Sequence, residues 1–259
     1  MKLSVIIPSY KDPLLHKTID SLLENTEEEI EIIVVLDGYW IKQKDDKRIR
    51  TVHLGRNRGM RGAINAGVAV SKGEYLMRTD EHCMFGKGYD RILTETIENN
   101  WIVTPRRFFL DPVKWEVMDL PPVDYSKLKI QNCGNGIRKF AGVPWDRPDR
   151  KDMMIDETQA MQGSCWLMKR NWWDKVIGEL QMEGYGPHYQ DSHEMVFKTW
   201  RVGGKLMVNK NAWYAHKHRS FPRTHNNGTP ENPSNNEKCW TYSLKVWEDY
   251  YKELQKQWA

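Results

Sequence analysis

Four short apolar runs rich in β-branched residues alternate with helix-like segments in the N-terminal third of the chain. The runs occupy residues 3–9, 30–38, 49–55 and 74–80. Between the first two runs, Leu15, Ile19 and Leu22 lie on one helical stripe. Strands that are joined through helices form right-handed crossovers and a parallel sheet. The sequence therefore predicts an α/β fold, with a mixed but mainly parallel central sheet flanked by helices.

The second half of the chain shows these patterns less regularly. Strand-like and helix-like stretches occupy residues 101–110, 164–180, 191–204, 205–219 and 237–258. Residues 111–152 are rich in proline, glycine and charge, so we expect little regular structure there. Since no linker separates the two halves, we predict a single domain over residues 1–259.

Composition argues against several classes of protein. No apolar run approaches the roughly 20 residues that span a bilayer, and the apolar core at residues 3–8 is too short for a secretory signal. The four cysteines (Cys83, Cys133, Cys165 and Cys239) are far apart and form no C-x-x-C pair, which does not favour a zinc knuckle or a disulfide framework. We therefore predict a cytoplasmic protein with no membrane span. The net charge of +4 is compatible with phosphorylated ligands or nucleic acid and does not decide between them.

The stretch YLMRTDEHCMF, residues 75–85, places Asp80, Glu81 and His82 at the carboxyl end of a predicted strand. Ligands of open α/β sheets bind at that edge. Because side chains alternate along an extended chain, Asp80 and His82 point to one side and Glu81 points away, where we expect it to be replaceable. One carboxylate oxygen and one imidazole nitrogen suit manganese or a similar ion. The alternative is that Asp80 caps a turn and His82 is merely exposed.

These segments resemble a known family. SVIIPSY, VVLDG, RNRGMRGAINAG and KGEYLMRTDEH occur in the order and spacing of the nucleotide-sugar domain of family 2 glycosyltransferases, which have the GT-A fold. In that superfamily an acidic motif, usually D-x-D, holds a divalent ion against the donor's diphosphate. This chain has His82 in place of the second Asp, which resembles the polypeptide N-acetylgalactosaminyltransferases. A His82→Asp variant, which restores the commoner motif, is expected to retain metal binding.

The second half is similar to the same narrower family. QDSHEMVFKTWRVGGKL resembles its G-G-E-N-x-E segment and YAHKHR its V-G-H-V-F-R segment. The resemblance implies that His216 is the third metal ligand and that Arg219 contacts the donor. It places Asp191 and Glu194 at the catalytic site. On spacing alone His218 competes with His216, and the two acids could be ordinary residues of a helix N-terminus.

For the donor, the resemblance implies a nucleotide site at the ends of the first strands. Asp37 would accept a hydrogen bond from uracil N3, although after its apolar run it could equally be a turn residue. Donor-contacting residues are expected to include Pro8, Ser9, Tyr10, Arg58, Arg61 and Asp80. Alternatively, residues 8–10 simply end a strand, and the arginines lie on a solvent-exposed face.

Together these features predict a glycosyltransferase that uses Mn2+ or another divalent cation and a UDP-sugar donor. Residues 1–110 would bind the nucleotide-sugar, and residues 153–259 would carry acceptor and catalytic groups, with residues 217–236 as a lid. Ser192 stands where an inverting enzyme has its base, so we expect transfer with retention of configuration. The acceptor class stays open between peptide, glycan and modified DNA. For DNA, the sequence offers a basic and aromatic tetrad, Arg106, Arg107, Phe108 and Phe109. A non-catalytic nucleotide-sugar-binding module is the alternative to an enzyme.

Overall fold

A central sheet of ten strands organises the part of the chain that the structure describes. The computed structural model describes residues 2–187, 189–218, 224–225, 229–230 and 233–258. In chain order the strands are β1 (Leu3–Ser9), β2 (Ile30–Asp37), β3 (Ile49–Leu54), β4 (Tyr75–Thr79), β5 (Cys83–Phe85), β6 (Trp101–Asp111), β7 (Glu116–Val117), β8 (Ser126–Asn132), β9 (Arg138–Pro144), β10 (Ile155–Glu157), β11 (Cys165–Lys169), β12 (Lys205–His216), β13 (Thr224–His225) and β14 (Thr229–Pro230).

The strand order confirms the predicted parallel half and adds a mixed half. Strands β3, β2, β1 and β4 are parallel neighbours, in that order across the sheet. Strand β11 then lies antiparallel between β4 and β6, and β6 pairs in parallel with β12. The carboxyl ends of β1, β2, β4 and β12 therefore meet at one edge, where the predicted site residues lie.

Helices cover both faces of the sheet. They are α1 (Leu15–Asn25), α2 (Gly59–Val70), α3 (Tyr89–Thr96), α4 (Arg170–Trp172, continued by a π-helical turn Trp173–Ile177), α5 (Asp191–Arg201) and α6 (Pro233–Trp258). Side chains of β1 alternate between two apolar cores: Ile6 packs with Ala63 of α2, whereas Val5 packs with Leu15 of α1. Burial on both faces explains why the first strands are continuous apolar runs.

The expectation of little regular structure over residues 111–152 was wrong. Strands β8 and β9 form an antiparallel hairpin, with Ser126 opposite Pro144 and Asn132 opposite Arg138. Leu128 of β8 belongs to the same core cluster as Tyr251 of α6. A buried apolar anchor in each strand stabilises this excursion in spite of its many polar residues.

Two further predictions can be compared with the described residues. None of the helices in these ranges combines the length and apolar character that a membrane span requires. Cys83, Cys133 and Cys165 are free thiols, as the spacing of the cysteines indicated. The cytoplasmic compartment itself stays a prediction.

Candidate functional site

Asp80, His82 and His216 converge at the carboxyl edge of the sheet. Asp80 follows β4, His82 precedes β5, and pairing of β5 with β12 sets His216 opposite Cys83. His216 Nε2 lies 3.1 Å and His82 Nε2 lies 3.7 Å from Asp80 Oδ2. The three residues are buried, and each offers a ligand atom within 4.8 Å of the others. Backbone pairing thus assembles an O/N/N donor set from distant parts of the sequence.

The charge states of this cluster suit a divalent cation. Burial would raise the pKa of the Asp80 carboxyl, but the charge of Arg78 and the hydrogen bond to His216 hold that pKa well below its usual range. Burial lowers the pKa of His216 to about 4, so its imidazole is neutral at pH 7. The second nitrogen of that ring, Nδ1, is buried and makes no hydrogen bond. One carboxylate oxygen and two imidazole nitrogens are ligands that manganese accepts.

Arg78 was missed by the sequence reasoning. Its side chain is buried, and its guanidinium donates hydrogen bonds to Asp80 Oδ1 and to the carbonyl of Gly163. The other oxygen of Asp80, Oδ2, faces the histidines. The R-x-D spacing in YLMRTD carried the signal, because alternate residues of a strand share a face. Arg78 therefore leaves Asp80 with one oxygen for a cation.

Glu81 is not one of the three converging residues, although its carboxylate forms a second group with Asp12 and His82, and the structure does not support the expectation that it is replaceable. Its side chain is buried, and its carboxylate accepts the backbone N–H of Tyr10 at 3.0 and 3.2 Å. This bond links the loop after β1 to the turn that carries His82. The middle residue of D-E-H therefore holds together two loops of the site.

A cavity of about 860 Å³ opens beside the ends of β1 and β2. Its lining residues are Tyr10, Lys11, Gly38, Gly55, Arg56, Asn57, Arg58, Met182 and Pro187. Of the residues predicted to contact the donor, Tyr10 and Arg58 lie here. Pro8 and Ser9 are buried in β1, and the Ser9 hydroxyl is hydrogen-bonded to that of Tyr39. The size and the arginines of this cavity are compatible with a nucleotide.

Asp37 lies at the end of β2 and already has two partners. Its carboxylate accepts the backbone N–H of Arg58 at 2.6 Å and of Gly59 at 2.8 Å, at the start of α2. Burial raises its pKa to about 6 in spite of these two bonds. The following Gly38 has φ +80°, and a Cβ there would lie 2.3 Å from the Asn57 nitrogen. Asp37 therefore joins the two loops that line the large cavity, whether or not it also meets a base.

A second cavity, of about 290 Å³, lies over the Asp80 cluster. Asp80 and His216 line it, together with Arg78, Arg107 and residues 189–193 at the start of α5. Asp191, predicted as catalytic, is therefore in place beside the cluster. His193 also lines this cavity, and burial lowers its pKa to about 4. The sequence reasoning did not single out His193.

Arg61 and Glu194 pair with each other and line neither of the two cavities. Their side chains are essentially inaccessible to solvent, at 0% and 1%, and they form an ion pair with each other. Arg61 also donates to the carbonyl of Tyr189 at 3.0 Å and stacks on the ring of Tyr185 at 4.0 Å. The pair joins α2 to α5 beneath the site. This burial and pairing favour a structural role for both residues, against the predicted donor-binding role of Arg61 and the predicted catalytic role of Glu194.

Several other predicted residues lie elsewhere. Arg219 and half of the predicted lid, residues 217–236, are outside the described residues. Of the basic and aromatic tetrad, Arg106 is engaged by Asp124 at 2.7 Å, whereas Arg107 lines the smaller cavity. All four residues lie on β6, where strand alternation puts Arg106 and Phe108 on one face and Arg107 and Phe109 on the other.

The chain resembles known glycosyltransferases in sequence. The family model described as Glycosyl transferase family 2 matches residues 4–177. The uncharacterized glycosyltransferase EpsJ of Bacillus subtilis (strain 168) is 35% identical over 106 residues, which cover 38% of this chain and 30% of EpsJ. Polypeptide N-acetylgalactosaminyltransferase 4 of Mus musculus is 25% identical, with 96% of this chain and 44% of the mouse protein covered. This chain therefore spans less than half the length of either relative.

The fold is shared with a solved transferase. A crystal structure of GalNAc-T7 with UDP, GalNAc and Mn2+ matches with a TM-score of 0.74 and 18% identity, covering 97% of this chain and 50% of that one. This likeness confirms the predicted GT-A fold. Because the family model spans most of the chain, from the first strand through the π-helical turn, the chain belongs to glycosyl transferase family 2.

Proposed function

We propose that this protein transfers a sugar from a UDP-sugar to an acceptor hydroxyl, with Mn2+ or another divalent cation bound by Asp80, His82 and His216. The observation that carries the proposal is the convergence of these three buried side chains on one point. A relative with the same fold, GalNAc-T7, was solved with UDP, GalNAc and Mn2+, which supports the choice of donor and ion.

In this proposal the larger cavity binds the nucleotide and the smaller cavity receives the acceptor. A bound cation supplies Lewis-acid stabilisation of the charge that develops on the leaving diphosphate. Tyr10 and Arg58 line the larger cavity, where the nucleotide would bind and where an arginine suits phosphate oxygens. Asp191 lines the smaller cavity, where the acceptor hydroxyl would approach the anomeric carbon. Asp80 also lines the smaller cavity and would bind the ion there.

We propose that transfer retains the anomeric configuration. An inverting enzyme needs a base on the acceptor side. The hydroxyl of Ser192 cannot serve as that base at neutral pH, and Glu194 is held in its ion pair with Arg61. Asp191 lines the smaller cavity. If Asp191 acts as a base, transfer inverts the anomeric configuration and the proposal of retention is wrong. NMR of the anomeric proton of the product distinguishes the two, since an inverted linkage refutes the proposal.

The first experiment is UDP release from a panel of UDP-sugars with and without Mn2+. We expect turnover with at least one donor, loss of turnover in EDTA, and loss in His216→Ala. His16→Ala is the matched control, because His16 lies on α1, is not one of the three converging residues and should keep wild-type activity. Tight UDP binding without release from any donor would favour the non-catalytic module instead.

The acceptor is identified by mass analysis of peptide, oligosaccharide and hydroxymethylated DNA incubated with the active donor. Pairing of Arg106 with Asp124 and the place of Arg107 in the smaller cavity do not favour DNA as the acceptor. A lid is supported at its base, because the Lys217 N–H donates to the His82 carbonyl at 3.2 Å. Shortening residues 219–232 should raise hydrolysis of the donor without acceptor, and unchanged hydrolysis would argue against a lid.

A further inference from the structure

Asp12 lies behind His82, on the side of the ring opposite Asp80. Its Oδ2 is 3.0 Å from His82 Nδ1, and its Oδ1 accepts the backbone N–H of Leu14 at 2.9 Å. Both members of the pair are buried, with side-chain exposures of 2% for His82 and 3% for Asp12. Asp12 is therefore fixed by the start of α1 and in turn fixes the imidazole.

We infer that Asp12 is a positioning residue that sets the tautomer of His82 for metal binding. The 3.0 Å contact sets a carboxylate acceptor against His82 Nδ1, and this favours the tautomer with the proton on Nδ1. The lone pair of neutral His82 then lies on Nε2, the nitrogen that faces Asp80 at 3.7 Å. Carboxylates that hold the far nitrogen of a ligating histidine orient the ring and raise its basicity. This inference rests on the proposed metal site.

The same contact explains why this chain needs a histidine in the motif. Asp12, Glu81 and His82 offer ligand atoms within 4.8 Å of one another. An aspartate at position 82 would bring a third carboxylate into this buried group, where like charges repel strongly. The expectation that His82→Asp retains metal binding is therefore revised. We expect His82→Asp to bind Mn2+ poorly until Asp12 is neutralised, as in Asp12→Asn/His82→Asp.

Metal-free protein provides the first test, independent of any activity. In ¹⁵N-histidine NMR spectra at pH 8.5, His82 should be protonated at Nδ1 in the wild type and should lose that preference in Asp12→Ala. Asp12→Asn, which keeps the shape of the side chain, covers the case in which Asp12→Ala does not fold; its amide can donate, so it too should shift the tautomer balance. An Nε2-protonated His82 in the wild type overturns the inference.

The second test is Mn2+ affinity, read from the EPR signal of the free ion at saturating UDP. Asp12→Ala should bind Mn2+ roughly 10- to 100-fold more weakly than wild type. The control is Asp20→Ala on α1, whose carboxylate pairs with Lys44 at the surface and which should bind within twofold. The double variant Asp12→Asn/His82→Asp should regain at least tenfold over His82→Asp. Wild-type affinity in Asp12→Ala, or no gain in the double variant, refutes the inference; failure of the wild type to bind Mn2+ refutes the proposed function instead.

Discussion

Glu194→Gln provides a direct test of the structural role assigned to the buried ion pair. Glu194 accepts from the Arg61 guanidinium, also contacts Lys198 at 2.8 Å, and receives the backbone N–H of Gln181 at 3.3 Å. The variant keeps the size of the side chain but removes its charge. The guanidinium of Arg61, which is fully buried, is then left without its carboxylate.

The magnitude follows from that burial. Removing one partner of a buried pair costs about 3–5 kcal/mol, because the other charge stays desolvated. A chain of 259 residues has an unfolding entropy of roughly 0.5 kcal/mol/K at about 2.1 cal/mol/K per residue. The expected fall in Tm is therefore about 6–9 °C. Turnover per folded molecule should change little, since Glu194 is held beneath the cavities.

Thermal unfolding followed by circular dichroism measures the effect, with UDP release measured well below the transition. The matched control is Glu248→Gln, which breaks the pair between Arg138 and Glu248 on the surface, and surface pairs contribute about 0–1 kcal/mol. An unchanged Tm with turnover reduced about 100-fold would refute the structural assignment and restore Glu194 as a catalytic candidate.

Three further predictions concern the site itself. If Asp37 accepts uracil N3–H, uridine should bind roughly tenfold more weakly at pH 5 than at pH 7, because the carboxyl with its pKa of about 6 is mostly protonated at pH 5. Equal uridine affinity at the two pH values refutes this contact. In the control variant Asp37→Asn, uridine affinity should not depend on pH. His216→Ala should lower Mn2+-dependent UDP release by about 100-fold or more, and wild-type release would contradict its role as a ligand. Glu81→Ala should lower the free energy of unfolding in urea by about 1–3 kcal/mol, because the Tyr10 N–H loses its acceptor, and a neutral variant would support the original expectation.

Much of the fold could be predicted because strand burial leaves a strong pattern. The first strand was predicted at residues 3–9 and spans Leu3–Ser9, and the runs at β2, β3 and β4 agree to within one residue at each end. The β8–β9 hairpin was missed for a physical reason. Few side chains of either strand are buried, and Leu128 and Phe140 belong to a core cluster that residues of the distant helices α5 and α6 complete. No local pattern reports such a contact.

The site shows the same division between local and distant contacts. Asp80 and His82 could be predicted because strand alternation and the position at a strand end are local features. The family resemblance supplied His216. Arg61 pairs with Glu194 over 133 positions, and Asp12 pairs with His82 over 70 positions. The spacing of neither pair in the sequence predicts the contact. A charged residue in a sequence therefore indicates that it has a partner of opposite charge. Whether that partner is a bound ligand or another side chain depends on where the residue is buried in the fold.

The charge balance at Asp80 would couple binding of the divalent ion to binding of the nucleotide. One oxygen of the carboxylate is held by Arg78, so the negative charge of Asp80 is already offset before any cation binds. The two histidines that complete the cluster offer nitrogen ligands and no compensating charge when neutral. A divalent cation bound at the proposed site would therefore be stabilised further by a diphosphate, which would supply the missing negative charge. By linkage, UDP should tighten Mn2+ binding by the same factor by which Mn2+ tightens UDP binding. If the Mn2+ affinity is equal with and without UDP, the side chains of the protein alone offset the charge of the ion.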